Sequence, residues 1–155
     1  MAQHHTARVT WSRSSPDFKA ESYSRDFDAT FDGGVTWRGS AASGPATPAG
    51  TVGAGTVDPE EMVVAAVSSC HMLFFLALAS RKGLVIDRYE DDAIGVLEAK
   101  DGATWLTRIT LRPRVTWGGA PPDKAVVDEL HHGAHKRCYI ANSLKGEVVV
   151  DPAEG

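Results

Sequence analysis

Hydrophobic and polar residues change rhythm several times along the 155-residue chain, and each change marks an element. Residues 7–12, Ala-Arg-Val-Thr-Trp-Ser, and residues 26–38 carry β-branched and aromatic side chains. Gly33-Gly34 interrupts the second run, so the pattern predicts an early strand followed by a hairpin. Residues 39–57 are rich in Gly, Ala, Pro and Thr and have no period. They predict a loop, long for a compact domain, and long loops are more often functional than accidental.

The next segment has all the start signals of a helix. Asp58 stands at the N-cap, Pro59 at the first helical position and Glu61 at the third, the spacing of a capping box. From Met62 to Ala79 the run is apolar nearly all round, which predicts burial on most sides, and Gly83 closes it. A helix of about 24 residues is roughly 36 Å long, enough to span a membrane. Against a span, Ser68-Ser69-Cys70-His71 falls at its centre, where lipid tolerates it least. Residues 87–99 and 104–117 predict a long hairpin turning at Asp101-Gly102, with period two in the second arm. Pro113 marks an edge or a bulge there. Pro121-Pro122-Asp123 opens a second helix running through Lys124–Leu144, with possible breaks near Gly133 or Asn142. Glu147–Val150 closes as a strand. The order β, ββ, α, ββ, α, β gives an α+β fold with antiparallel sheets packed on helices.

The chain's size and its 43% hydrophobic content fit one domain over residues 1–155. Sixteen basic against twenty acidic residues leave a net charge of −4 without a long basic run, so nucleic acid is not expected as a partner. The polar N-terminus lacks an apolar signal core, which gives a cytoplasmic location as the expectation. Thiols stay reduced there, so a structural disulfide between Cys70 and Cys138 is disfavoured, while a transient catalytic one is not.

A buried lone cysteine is ordinarily a small hydrophobe. Cys70, however, lies between Ser69 and His71, and Cys138 follows Lys136 and Arg137 on the predicted second helix. Positive neighbours favour the thiolate, the form that acts as a nucleophile. Cys70 is too far into its helix for the N-terminal dipole to help, so a nearby arginine is required.

The segment Val-Asp-Pro-Glu-Glu-Met-Val-Val-Ala-Ala-Val-Ser-Ser-Cys-His (57–71) resembles the signature helix of the osmotically inducible protein C and organic hydroperoxide resistance superfamily. Ala-His-Lys-Arg-Cys-Tyr-Ile-Ala-Asn-Ser-Leu (134–144) resembles its second cysteine motif, with Tyr139 where the hydroperoxide-resistance branch has proline. The order of elements agrees along essentially the whole chain. This resemblance implies an intertwined homodimer, with antiparallel sheets around two long central helices. It also implies a thiol peroxidase acting on organic hydroperoxides, alkyl or lipid, without a cofactor. In that scheme Cys70 is the peroxidatic cysteine and is oxidised to sulfenic acid. Cys138 resolves it as a disulfide, and an external dithiol, of lipoyl type in the best-studied branch, reduces the pair. Glu60 and an arginine assist the thiolate, Arg25 being favoured over Arg13 and Arg38. Ten helical residues, about 15 Å, separate Glu60 from Cys70 of its own chain, so the assisting Glu60 would come from the other subunit.

Two other readings stay open. His131, His135 and Cys138 share one helical face at spacings of four and three and could hold zinc with a water or an acidic residue, although no Cys-x-x-Cys or His-Glu-x-x-His motif supports such a site. The solvated helix face is the plain reading for His131 and His132. A non-catalytic relative binding small apolar ligands is the other alternative.

Overall fold

The computed structural model describes residues 2–153 and divides the chain into two compact units, Met1–Met62 and Val63–Gly155. In the first unit β1 (Ala7–Thr10), β2 (Phe27–Phe31) and β3 (Thr36–Gly39) form an antiparallel sheet in that order. The expected hairpin turns where expected, with Gly34 at φ 83°. Between Gly39, the end of β3, and Val57, which bridges to it, the segment 40–56 carries no helix or strand, yet it is held in place: Gly53 N–H donates to Asp26 Oδ1 at 2.8 Å, and the Arg38 guanidinium pairs with Asp26 at 2.7 Å. A Cβ on Gly53 would drive into the Asp26 carboxylate. The Gly53 N–H bond, with Arg38 beside it, holds the Asp26 carboxyl below its usual range.

Helix α1 (Pro59–Arg81) starts as the sequence specifies. Glu61 N–H donates to Asp58 Oδ1 at 2.7 Å and Asp58 N–H to Glu61 Oε2 at 3.0 Å, closing the capping box. The helix is long and apolar enough to cross a membrane by length and composition. In the second unit it buries Val67, His71, Phe75 and Ala79, a stripe at spacing four.

The second unit adds β4 (Ile86–Asp91), β5 (Ile94–Lys100), β6 (Ala103–Leu111), β7 (Pro113–Trp117), α2 (Lys124–Arg137) and β8 (Glu147–Val150). The long hairpin forms and turns at Asp101 and Gly102, both with positive φ, but it is cut in mid-length into two sheets. β4 pairs with β7 and β5 with β6, all antiparallel. The cut falls where Pro113 offers no N–H to a ladder, and Asp91 Oδ1 accepts the preceding Arg112 N–H at 2.6 Å instead. β8 joins β6 in parallel, so that sheet is mixed rather than purely antiparallel, because the chain returns to it through α2. The α+β class holds.

Two apolar clusters fill this unit. Phe75, Ala79, Leu130 and Ala134 pack under β4 and β7; Val67, Ile109 and Leu111 pack against Leu106, Ile140, Val148 and Val150. Gly146, just before β8, lies so close to the Leu106 carbonyl that a Cβ would collide with backbone. Gly146→Ala is therefore expected to cost about 2 kcal/mol or more, the scale of a strained or overpacked site, read as a lower urea midpoint at unchanged slope.

Candidate active site

The site begins at the centre of α1. Ser69 turns its hydroxyl back onto the Ala65 carbonyl at 2.7 Å, and Ser68 donates to Asp91 Oδ2 at 2.5 Å. Cys70, between them and the buried His71, is half-buried. A cavity of about 370 Å³ opens on the Ser68 side of the helix, lined by Val64, Ser68, Met72, Tyr89 and Asp91 among others, and Cys70 is not part of its lining. Among the described residues the Tyr89 hydroxyl has no partner, and burial, with Asp91 nearby, pushes it well above its ordinary range.

The second thiol arrives from α2. The expected helix to Leu144 stops at Arg137, and Cys138 is its C-cap in an extended conformation at φ −64°, ψ 107°. A short 3₁₀ turn, Ala141–Ser143, follows. Ending the helix there swings the Cys138 side chain inward. Its Sγ accepts the Ala141 N–H at 3.4 Å and faces the Val67 carbonyl at 3.9 Å, one turn before Cys70. Cys70 and Cys138, 68 positions apart in sequence, thus come near enough for Cys70 to bear on the Cys138 thiol, and neither is in a disulfide.

Burial pushes the Cys138 thiol up to about 11, and the nearby Cys70 acts in the same direction, against N–H bonds from Ala141 and Ile140. The expectation that Lys136 and Arg137 would favour a thiolate at Cys138 is overturned. Both side chains line a groove with Leu78 and Leu130 instead, Arg137 donating to the Gly133 carbonyl at 3.0 Å, so the buried sulfur loses water without gaining a cation.

Glu60 and Arg25 lie in the first unit. Of the three arginines considered, Arg38 is committed to Asp26, and Arg13 to the Ser15 and Pro16 carbonyls. Arg25 lies over the Tyr23 ring at 4.4 Å and lines a cavity of about 350 Å³ with Trp11, Phe18, Phe27 and Pro59. Among the described residues it has no carboxylate partner.

Sequence reasoning missed one buried polar pair. His131, expected on a solvated face, is 5% exposed, and its Nδ1 lies 3.1 Å from Nε2 of the fully buried His71, the rings stacked at 5.4 Å. The signal was present in the stripe Val67-His71-Phe75-Ala79, where a histidine amid buried apolar positions requires a polar partner. Among the described residues, no three His, Cys, Asp or Glu side chains gather as a metal site, so the zinc constellation is not assembled.

Residues 52–153 match the family model of the OsmC-like protein. The chain belongs to the OsmC-like family. This OsmC-like chain is 40% identical to an OsmC-like protein of unknown function from Vibrio cholerae O1 biovar eltor, with a TM-score of 0.92 over 98% of this chain and 100% of that one. It is 26% identical over 98 residues, 62% of this chain and 65% of the other, to the uncharacterized protein YmaD of Bacillus subtilis (strain 168). The organic hydroperoxide resistance protein OhrB of Bacillus subtilis shares the fold at a TM-score of 0.64 and 20% identity, over 97% of this chain and 96% of that one.

The histidine pair gives the OsmC-like chain an acid limit. Burial lowers both rings from 6.5 to about 4; the charges of His131 and His135 add to the lowering at His71, while Asp128 and Asp91 oppose it at His131. The folded chain then binds fewer protons than the unfolded one between those values, so stability rises with pH across that window. It is complete above about 6.5 and lost as pH falls toward 4, by up to roughly 3 kcal/mol per histidine. Urea midpoints should be flat above pH 7 and fall through this window.

Proposed function

We propose that the protein is a cysteine-based peroxidase that reduces organic hydroperoxides. The observation carrying this reading is the meeting of two sequence-distant free thiols at the centre of α1, one half-buried and the other buried with its proton held. The Cys70 thiolate attacks the peroxide O–O bond; the alcohol leaves, and the sulfur becomes sulfenic acid. That neutral product no longer presses on Cys138 by charge. The Cys138 sulfur then displaces water from the sulfenic acid, forming the disulfide, and an external dithiol of lipoyl type returns both thiols.

The working unit is a homodimer. α1 is apolar on nearly every side, yet Ala65, Leu73 and Ala77 are exposed, and β5 exposes Ile94, Val96 and Leu97. Exposed apolar side chains of this kind call for a partner, and a second copy supplies the same surface. Across that dimer the Glu60 carboxylate assists the thiolate of the opposite copy, and Arg25 is the arginine assigned to the thiolate. The apolar run Met72–Ala79 that follows Cys70 along α1 favours an alkyl chain on the peroxide. Catalytic efficiency with cumene hydroperoxide is therefore expected to exceed that with hydrogen peroxide by at least about tenfold, the scale of one or two buried methylenes. Equal efficiencies with the two peroxides would contradict it.

A further inference from the structure

We propose that the His71–His131 hydrogen bond is a clamp that fixes how α2 seats on α1, and thereby presents the Cys138 thiol to Cys70. The inference rests on the reading of these two cysteines as the working pair, and it assigns the imidazoles a positioning role.

The seam between the helices carries the argument. α1 contributes Val67, His71, Phe75 and Ala79; α2 contributes Leu130, His131 and Ala134, and Cys138 follows at its cap. His131 and Cys138 are seven residues apart, two turns, and so share a face of α2. Val67 meets Cys138 while His71, one turn later, meets His131, so the helices run in opposite directions here. The imidazole contact thus lies one turn along α1 from the thiol contact, on the same line of approach.

The other close contacts of this seam are non-directional. Phe75, Ala79, Leu130 and Ala134 are aliphatic or aromatic, and the Phe75 ring packs on His131 at 4.4 Å. Apolar surfaces tolerate a slide of one side chain past another at small cost, whereas a hydrogen bond between two rings stacked within 8° does not. Among the described residues the bond is also the single polar contact of the His71 side chain, whose Nδ1 is buried without a partner. Breaking it would leave a wholly buried imidazole unpaired, so the seam has one register that satisfies the ring. Neither imidazole hydrogen-bonds a sulfur, so the pair acts through placement rather than by proton transfer to the thiols.

The step affected is ring closure. The Cys70 sulfenic acid and the Cys138 thiol join, one S–S bond replacing the S–O bond, and water leaves. Its rate and equilibrium depend on the effective concentration of one sulfur at the other, a quantity measurable without peroxide. Reduced protein is equilibrated with oxidised and reduced glutathione, and the dithiol-to-disulfide ratio gives that concentration directly. His131→Leu is expected to lower it about tenfold, the worth of one buried hydrogen bond. His131→Asn, whose side chain places an acceptor where Nδ1 was, should keep it within about threefold, since the bond is retained. A histidine serving only stability would lower the urea midpoint and leave the thiol equilibrium at the wild-type value, and that result for His131→Leu overturns the clamp. Should His131→Leu not fold, the double variant His71→Leu, His131→Leu takes its place, because it leaves no unpaired nitrogen in the seam. Its equilibrium should remain about tenfold weaker, and a wild-type value would overturn the proposal. A chain that shows the drop but ignores hydroperoxides refutes the peroxidase reading alone. One that turns over peroxide with no drop refutes the clamp alone.

Discussion

Cys70→Ser is expected to abolish hydroperoxide turnover, while Cys138→Ser keeps the first oxidation and loses the second. A serine hydroxyl at position 70 does not ionise near neutrality and does not attack the O–O bond, so the loss should reach the uncatalysed rate. In Cys138→Ser the sulfenic acid forms with nothing to capture it. It stays exposed to further peroxide and should climb to sulfinic acid, visible as a mass gain of two oxygens on Cys70. Because the buried Cys138 thiol is held at about 11, alkylation at neutral pH should also modify Cys70 first. Normal recycling of Cys138→Ser with the same dithiol would remove Cys138 from the scheme.

Leu73→Glu should convert the proposed dimer to monomer. Leu73 is 62% exposed on the largely apolar α1, within the exposed stripe Ala65-Ser69-Leu73-Ala77. Covering a leucine contributes about 2 kcal/mol. Two copies across a symmetric interface together make on the order of a thousandfold in Kd, before any cost of burying two carboxylates. Light scattering on a sizing column should show the mass halving. If the wild-type chain already runs as a monomer at micromolar concentration, the apolar stripe has another occupant. Turnover should fall together with the dimer, because Glu60 is assigned to act across it.

The elements with local causes were legible in the sequence. Asp58, Pro59 and Glu61 specify the start of α1 through bonds within four residues, and Asp101-Gly102 specifies its turn by allowing positive φ. Both thiols were legible because their motifs are contiguous. What was not legible depended on distant partners. The division of the long hairpin at Pro113 needs Asp91 to take the Arg112 N–H, and the parallel seat of β8 needs β6 to offer an edge. The end of α2 was placed too late because Cys138 to Leu144 is helix-compatible in composition, while tertiary packing of the Cys138 sulfur against the Val67 carbonyl turns the chain. The same omission misread Cys138 chemically: flanking Lys136 and Arg137 suggested a thiolate, and burial decides the opposite. His131 was read as solvated because its partner His71 lies sixty residues away.

The most direct test of the whole account is a count of free thiols in the reduced protein before and after one equivalent of an organic hydroperoxide. The account predicts a fall from two to none per chain, with one equivalent of alcohol released and a peptide linking Cys70 to Cys138 found by mass spectrometry. Two thiols remaining, with the peroxide intact, would contradict it.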